Sequence, residues 1–502
     1  MPQAIETTAW RARAPGIADR VILGAVVLLV SWGTLAFGAV YPWAYVPLFG
    51  AAAVTGTIAF WRARSVQLSR PTRVMLVALT VTGFGAAAQA IPLPYGLRTA
   101  ISPASESFLR EVDVPYSAAA MLYESRTSAA GVERPLRSLS LDPQSTMRCV
   151  AMLAALTLLL GGLTKLFGRV GAAGLVSWII AIGTLLAVIG IVQKAVLGDH
   201  AFAGMRIYGF WEPRYKVTTP FGPYVNKNHY AGWMIMALPL AIGYLLSMAA
   251  LWRRHLGSGW RDRLLWLSSP EGGRAQLVAF AIVLMGLALT LTMSRSGLLA
   301  LVLALLFSLL MGARRQYSLG VRLVLSAGLL MLLAGGAVWS NVDIAGRFTS
   351  GSRSIELRRE AWRDALAIVR DFPLVGTGLN TYATATLKYD TTRSDLQFHE
   401  AHNEYLQLAA EGGLWLGLPV LVAILATIRA VRERLQADAP DPAAYWLRFG
   451  ASMGLLAIAL QSFVEFSLQM PGNAALFVVV ASIALHPRPA RQMFDPVSAA
   501  PV

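Results

Sequence analysis

The sequence predicts an all-α polytopic membrane protein of about twelve transmembrane helices, and three observations carry that reading. Of its 502 residues 56% are hydrophobic and only 14% charged, too little polar surface to solvate a globular fold of this size. The charges crowd between long apolar runs, as expected where an ionisable group at the bilayer centre costs at least about 2.5 kcal/mol. The short loops joining the runs are basic at every second crossing.

Runs near the roughly 20 residues needed to span hydrocarbon fall at about 21–40, 44–61, 74–92, 149–165, 173–196, 229–251, 276–293, 297–312, 322–339, 413–430, 446–467 and 473–486. Arg11, Arg13 and Arg20 precede the first run, which exceeds the roughly 7 to 15 residues of a signal core and reads as a retained helix. With the N-terminus in the cytoplasm, Arg62, Arg64, Arg70, Arg73, Lys165, Arg169, Arg314, Arg315, Arg429, Arg432, Arg434, Arg448 and Arg488 all fall inside, as does the C-terminus. The same assignment exports segments near 93–148, 197–228 and 340–412. The chain thus divides into 1–197 with helices 1–5, 198–339 with helices 6–9, a large exported loop 340–412, and 413–502 with helices 10–12. The net charge of +16 is spread over loops on alternating sides, not gathered on one face, so no nucleic-acid partner is expected. A lone cysteine, Cys149, excludes an intrachain disulfide and reads as a packing residue. The implied address is an inner (plasma) membrane, with membrane lipids as partners.

The exported segments hold the chemistry. From Ser354 to Phe372, Ile355, Trp362, Leu366 and Val369 recur at helical spacing while Arg358, Arg359, Arg363 and Asp364 point elsewhere. Ser354 is placed to cap this helix and Pro373 to stop it. Such a helix suits the membrane interface, and equally suits a roof over the bundle. Gly376-Thr377-Gly378-Leu379-Asn380 forms a tight turn that could bring backbone amides to an anion, without the lysine and following helix of a nucleotide loop. His399-Glu400-Ala401-His402-Asn403-Glu404 lacks the spacing of a zinc helix; a histidine there suits proton exchange near neutral pH, with Glu400 or Glu404 to orient its ring. Arg295, in Thr292-Met293-Ser294-Arg295-Ser296-Gly297, sits between two apolar runs, where a planar five-donor fork suits a lipid diphosphate and a snorkelling anchor is the plainer reading. The segment from Gly209 to Gly232 mixes aromatics with Arg214 and amides, as sugar-binding surfaces and interfacial belts both do; Asn226 or Asn228 is placed to cap the next helix.

Three motifs in order, Asn226-Lys-Asn228-His229-Tyr-Ala, Leu291-Thr-Met-Ser-Arg295-Ser-Gly and Pro373-Leu-Val-Gly-Thr-Gly leading to His402-Asn403-Glu-Tyr405, resemble the O-antigen ligase and Wzy-type polymerase superfamily over roughly 200–465. In that family a His-Asn pair precedes two glycines; here Gly413 is in register, but the second is Gly417, with Leu416 in its place. The resemblance implies a membrane glycosyltransferase of GT-C-like fold with a large helical periplasmic loop. It implies an undecaprenyl-diphosphate-linked glycan as donor, an acceptor glycan or lipid A core, and inverting transfer without metal or cofactor. Carried over, His402 is catalytic, Arg295 and Arg214 (chosen over Arg206) hold the diphosphate, and Asn228, Asn403, Glu404 and Tyr405 bind substrate. Ligase and polymerase share these residues. The alternative is a transporter or flippase of lipid-linked oligosaccharide, but such proteins place functional charges near midplane, where these runs are nearly bare. Glu465, near the exported end of its helix, is the exception.

Overall fold

The computed structural model describes residues 15–126, 136–197, 206–212, 219–252, 260–312, 344–390 and 398–488. Among them there is no β-strand, only three isolated bridges. The helices are α1 (Ile17–Leu35), α2 (Pro42–Arg62), α3 (Arg70–Gln89), α4 (Tyr95–Ile101), α5 (Pro103–Val112), α6 (Val114–Arg126), α7 (Pro143–Val170), α8 (Ala173–Leu197) and α9 (Lys227–Trp252). They continue as α10 (Trp260–Leu267), α11 (Pro270–Leu291), α12 (Arg295–Phe307), α13 (Ile344–Asp371), α14 (Tyr382–Tyr389), α15 (Glu404–Ala437), α16 (Pro442–Gln461) and α17 (Pro471–Leu485). Nine of these are long and apolar enough to cross a membrane, and α12 and α17 are shorter apolar helices. The protein is therefore an all-α, multi-pass membrane protein. The expected run at 322–339 lies outside the described residues.

Starts follow local rules. Proline occupies the first turn of α2, α3, α7, α11, α16 and α17, where its missing N–H costs nothing. Ser69, Asp142, Ser269, Ser294 and Asp441 cap through their side chains. Packing then follows membrane logic, with small residues letting backbones touch. A Cβ on Gly162 of α7 would lie 2.1 Å from the Gly56 carbonyl oxygen of α2, and one on Gly450 of α16 would lie 2.4 Å from the Pro239 carbonyl oxygen of α9. Helix α9 is buried all round from His229 to Ala241 and forms the middle of the bundle.

Contacts sort the loops into two ends. At one, Lys165 Nζ donates to the carbonyls of Arg64 and Val66, Arg62 pairs with Asp19, and Arg448 and Arg488 both pair with the fully buried Asp438. Gly168 packs on Pro487 at that end. At the other, the Ser140 amide donates to the Gln89 carbonyl, Leu141 to Thr377, Glu404 to Ser462, and Tyr224 Oη to Asn473. Basic loops at one end and motif segments at the other is the arrangement expected of the charge pattern.

A second, smaller core lies at the motif end, where Phe108 of α5 packs with Ala365 and Ile368 of α13, Phe372 just beyond it, Tyr382 and Ala385 of α14, and Ala401 and Ala410. Helix α13 departs from expectation in two ways. It starts at Ile344, so Ser354 lies inside it instead of capping it; no proline falls between 344 and 354, and Ser or Thr costs a helix interior only a few tenths of a kcal/mol. Its buried face is Ala361, Asp364, Ala365 and Ile368, whereas Leu366 is 57% exposed. The alanines permit close approach that Trp362 and Leu366 would block.

Helix α15 is broken at Gly413, whose φ of 55° and ψ of −157° interrupt the ladder. The Pro373–Gly378 turn fills the break. Leu414 and Trp415 amides donate to the Pro373 and Leu374 carbonyls, and the Ala410 and Glu411 carbonyls accept from Thr377 and Gly378. A Cβ on Gly376 would lie 2.2 Å from the Glu411 carbonyl, and one on Gly413 would lie 2.7 Å from Leu374. Position 416 is held by a fully buried leucine in contact with Ala86 and Leu379, while Gly417 faces open space. The departure from the family spacing is thus absorbed by packing.

Gly376→Ala and Gly413→Ala each combine positive φ with backbone overlap, and each should cost at least about 2 kcal/mol. Gly417→Ala, in open space, should be neutral. Thermal unfolding of the purified variants in one detergent checks this; equal midpoints for Gly376→Ala and Gly417→Ala would contradict it.

Candidate active site

The motif segments meet at a carboxylate. The expected run 446–467 is helical only to Gln461, and Glu465 sits beyond it in the turn to α17, with no solvent exposure. Its Oε1 accepts from Asn228 Nδ2 at 2.7 Å and from Arg358 of α13. Its Oε2 faces His402 Nδ1 at 3.7 Å, an ion-pair distance longer than a hydrogen bond. Burial pushes this carboxyl up, but the imidazole of His402, with Arg358 and His229, holds it below the usual carboxylate range. Glu465 is therefore a buried anion ringed by cationic and amide donors.

Phe466 follows it and stands between two histidines. Its ring lies 4.7 Å from His229 and 4.8 Å from His402, edge-on to both. The His229 ring, 5% exposed, leaves Nε2 without a partner among the described residues. His402 keeps 27% of its side chain exposed, so one edge meets Glu465 while the other is open.

The loop around His402 is held by its neighbours. His402 has φ of 50°, a left-handed conformation uncommon for a side-chain-bearing residue. Asn403 caps α15, accepting from the Tyr405 and Leu406 amides, and Glu404 accepts from the Leu468 amide and Gln469 Nε2. Tyr405 Oη donates to the Ala459 carbonyl, its ring against Phe463. These three, expected to bind substrate, spend polar atoms on positioning the loop. Glu400 and Glu404 were expected to orient the imidazole; Glu400 instead accepts from Gln407 Nε2 at 2.7 Å, and the carboxylate facing the ring is Glu465. With His402 left-handed, the flanking glutamates take other partners, Glu400 the Gln407 side-chain amide and Glu404 the segment at Leu468 and Gln469.

Asn228 also departs from a simple reading. Asn226 supplies the turn at the start of α9, its Oδ1 accepting from the Asn228 amide, which frees the Asn228 side chain for Glu465. Gln461 Nε2 and Ser467 Oγ donate to the Asn228 carbonyl. Arg295 is the first residue of α12, exposed at the same end, after a turn in which Met293 has φ of 55° and Ser294 caps. That turn abuts the others, since a Cβ on Gly297 would lie 2.7 Å from Ala231 and 3.7 Å from Gln461 Nε2. Arg206 is exposed at the start of a short hairpin whose Trp211 stacks on Phe37 and donates to Tyr41, so that aromatic lies against the α1–α2 turn. Arg214 lies outside the described residues. The glycine turn, expected to meet an external anion, meets an internal carboxyl group: the Asn380 amide, and the Tyr382 amide just beyond it, donate to Glu411 at 2.7 and 3.0 Å. Among the described residues no three His, Cys, Asp or Glu converge as metal ligands.

Residues 280–422, spanning both Arg295 and His402, match the family model described as O-antigen ligase. Over that segment the chain is similar to the O-antigen ligase family. The match supports the O-antigen ligase and Wzy superfamily that the three motifs resemble, and with it a glycosyltransferase type of activity. No curated protein matches the chain. The matched segment takes in Arg358 but stops short of Glu465 and of Asn228, so the carboxylate at the centre of the site comes from outside it. Glu465 was visible in the sequence as one acid in an apolar neighbourhood; Arg358 carried no signal beyond its place on an amphipathic helix.

Burial, with the nearby Glu411 and Glu404 charges, pushes the Glu400 carboxyl up to about 8 against the Gln407 hydrogen bond. A raised acid pKa means the fold holds a proton that the unfolded chain releases. Its contribution is complete below the unfolded value near 4.5 and lost as pH rises through about 8. Glu400→Gln should therefore flatten the fall in thermal stability across that window. A wild-type-like slope in a melting series would refute the assignment.

Proposed function

We propose that this protein transfers a glycan from an undecaprenyl-diphosphate donor to an acceptor hydroxyl, on an acceptor glycan or lipid A core, at the periplasmic end of a GT-C-like bundle. On this reading the bundle is of about twelve helices, as the sequence pattern predicts, and lies in a bacterial inner membrane with both termini in the cytoplasm. The observation that carries this reading is the meeting of His402, Glu465, Asn228 and the Arg295 turn at the end opposite the basic loops. Transfer needs a base beside the attacking hydroxyl and fixed positive charge beside the leaving diphosphate.

His402 accepts the hydroxyl proton through the ring edge turned away from Glu465. The resulting imidazolium is stabilised by the Glu465 carboxylate, which also holds the ring in place, the role an acid partner plays for a catalytic histidine. Arg295 and Arg214, with Arg206 as the other candidate for the second position, hold the diphosphate oxygens as planar donors. The acceptor attacks opposite the leaving diphosphate, so the anomeric configuration inverts, with no metal in the scheme. Asn228 acts through Glu465, and Asn403, Glu404 and Tyr405 set the His402 loop. Ligase and polymerase differ here only in the acceptor.

Purified protein given labelled lipid-linked glycan and acceptor should release undecaprenyl diphosphate; a flippase would move the lipid and release none. His402→Ala should abolish release, and full activity in that variant would end the proposal. Arg295→Lys keeps the charge but loses the fork, and should cost about a hundredfold in turnover. Glu465→Gln should lower kcat by about a hundredfold or more. It also leaves Arg358 partly buried without its anion, at a stability cost of roughly 3 kcal/mol. Arg358→Gln paired with Glu465→Gln should restore stability but not turnover, which separates the two effects.

A further inference from the structure

Helices α3 and α15 run antiparallel and touch near the motif end. Trp415 Nε1 donates to the Gly85 carbonyl at 3.1 Å, and a Cβ on Gly85 would lie 2.9 Å from Leu416. Towards the basic end a groove of about 660 Å³ opens on the outer face of the pair, lined by Val74, Val77, Ala78 and Val81 of α3 and by Pro419 and Val422 of α15. Arg70 and Arg73 stand at its mouth. Their spacing of three places both guanidinium groups over one helix face, and the valines continue that face inward. Both arginines are exposed and, among the described residues, neither has an acidic partner.

Length fits one occupant. Arg70 to Val81 covers eleven helical steps, roughly 16 Å, and half of a hydrocarbon core of about 30 Å is about 15 Å. The groove therefore runs from the rim to about the bilayer midplane, the depth of one leaflet. Val77 is 62% and Val81 51% exposed, so among the described residues no helix covers this part of the lining. From the paired charges at the rim and the apolar channel of leaflet depth beneath them, we infer that this groove is a binding site for an anionic phospholipid. Its phosphate lies between Arg70 and Arg73 and one acyl chain lies along Val74, Val77 and Val81 against the Pro419 turn of α15.

The site is separate from the proposed chemistry, which lies at the opposite end. Native mass spectrometry of the detergent-purified chain, offered phosphatidylglycerol and phosphatidylcholine in equal amounts, tests it. The wild type should retain one phosphatidylglycerol with roughly thirtyfold preference, the worth of two basic residues at a charged bilayer surface. Arg70→Gln with Arg73→Gln should lose that preference. Val77→Trp, which keeps both charges and fills the groove at an exposed position, should lose the retained lipid. Thermal unfolding in lipid-free detergent should be unchanged in both. Equal retention of the two lipids by the wild type would overturn the proposal, as would undiminished retention by Val77→Trp, which would reduce the effect to surface charge.

Discussion

Everything at the motif end depends on one buried carboxylate. A carboxylate withdrawn from water is costly unless opposite charge and donors surround it. Glu465 has no solvent exposure, and its needs are met by Asn228 from the start of α9, Arg358 from α13, and the edge of His402 before α15. Three segments, carrying positions 228, 358 and 402, are thereby held to a single point. This anion is the shared partner that joins the arginine-bearing helix to the histidine.

The second constraint is steric. The break in α15 leaves amides and carbonyls that a lipid-embedded helix cannot leave unsatisfied, and the Pro373–Gly378 turn supplies their partners. Only glycine at 376 and 413 allows the two backbones to approach so closely. This insertion fixes where α15 starts its descent and hence where Asn403 caps and His402 stands. A conformationally uncommon histidine is retained because cap, turn and second core all determine its position together.

The two ends of the bundle solve different problems. At the basic end, buried Asp438 and the carbonyl-capping Lys165 tie loops together and leave other arginines turned outward. At the motif end, charges turn inward and are shared between segments. Burial of ionisable groups at both rims, with nearly charge-free helices between, is what a hydrocarbon solvent allows.

The sequence alone determined the fold class, because hydropathy and the sidedness of arginine are summed over many residues and survive local error. It also singled out His402 and Arg295, since each sits in a short motif whose residue types are unusual for an apolar chain. Helix limits were less legible: Ser354 looked like a cap, and Trp362 and Leu366 looked like a buried face, because periodicity cannot tell which of two overlapping stripes meets a partner. Only the tertiary structure decided the rest. Glu400 and Glu404 adjoin His402 in sequence, but the left-handed turn there sends them elsewhere, and the carboxylate that meets the ring lies 63 positions away. Chain proximity fixes what residues can be near, whereas the cost of leaving a buried charge unpaired fixes which of them are.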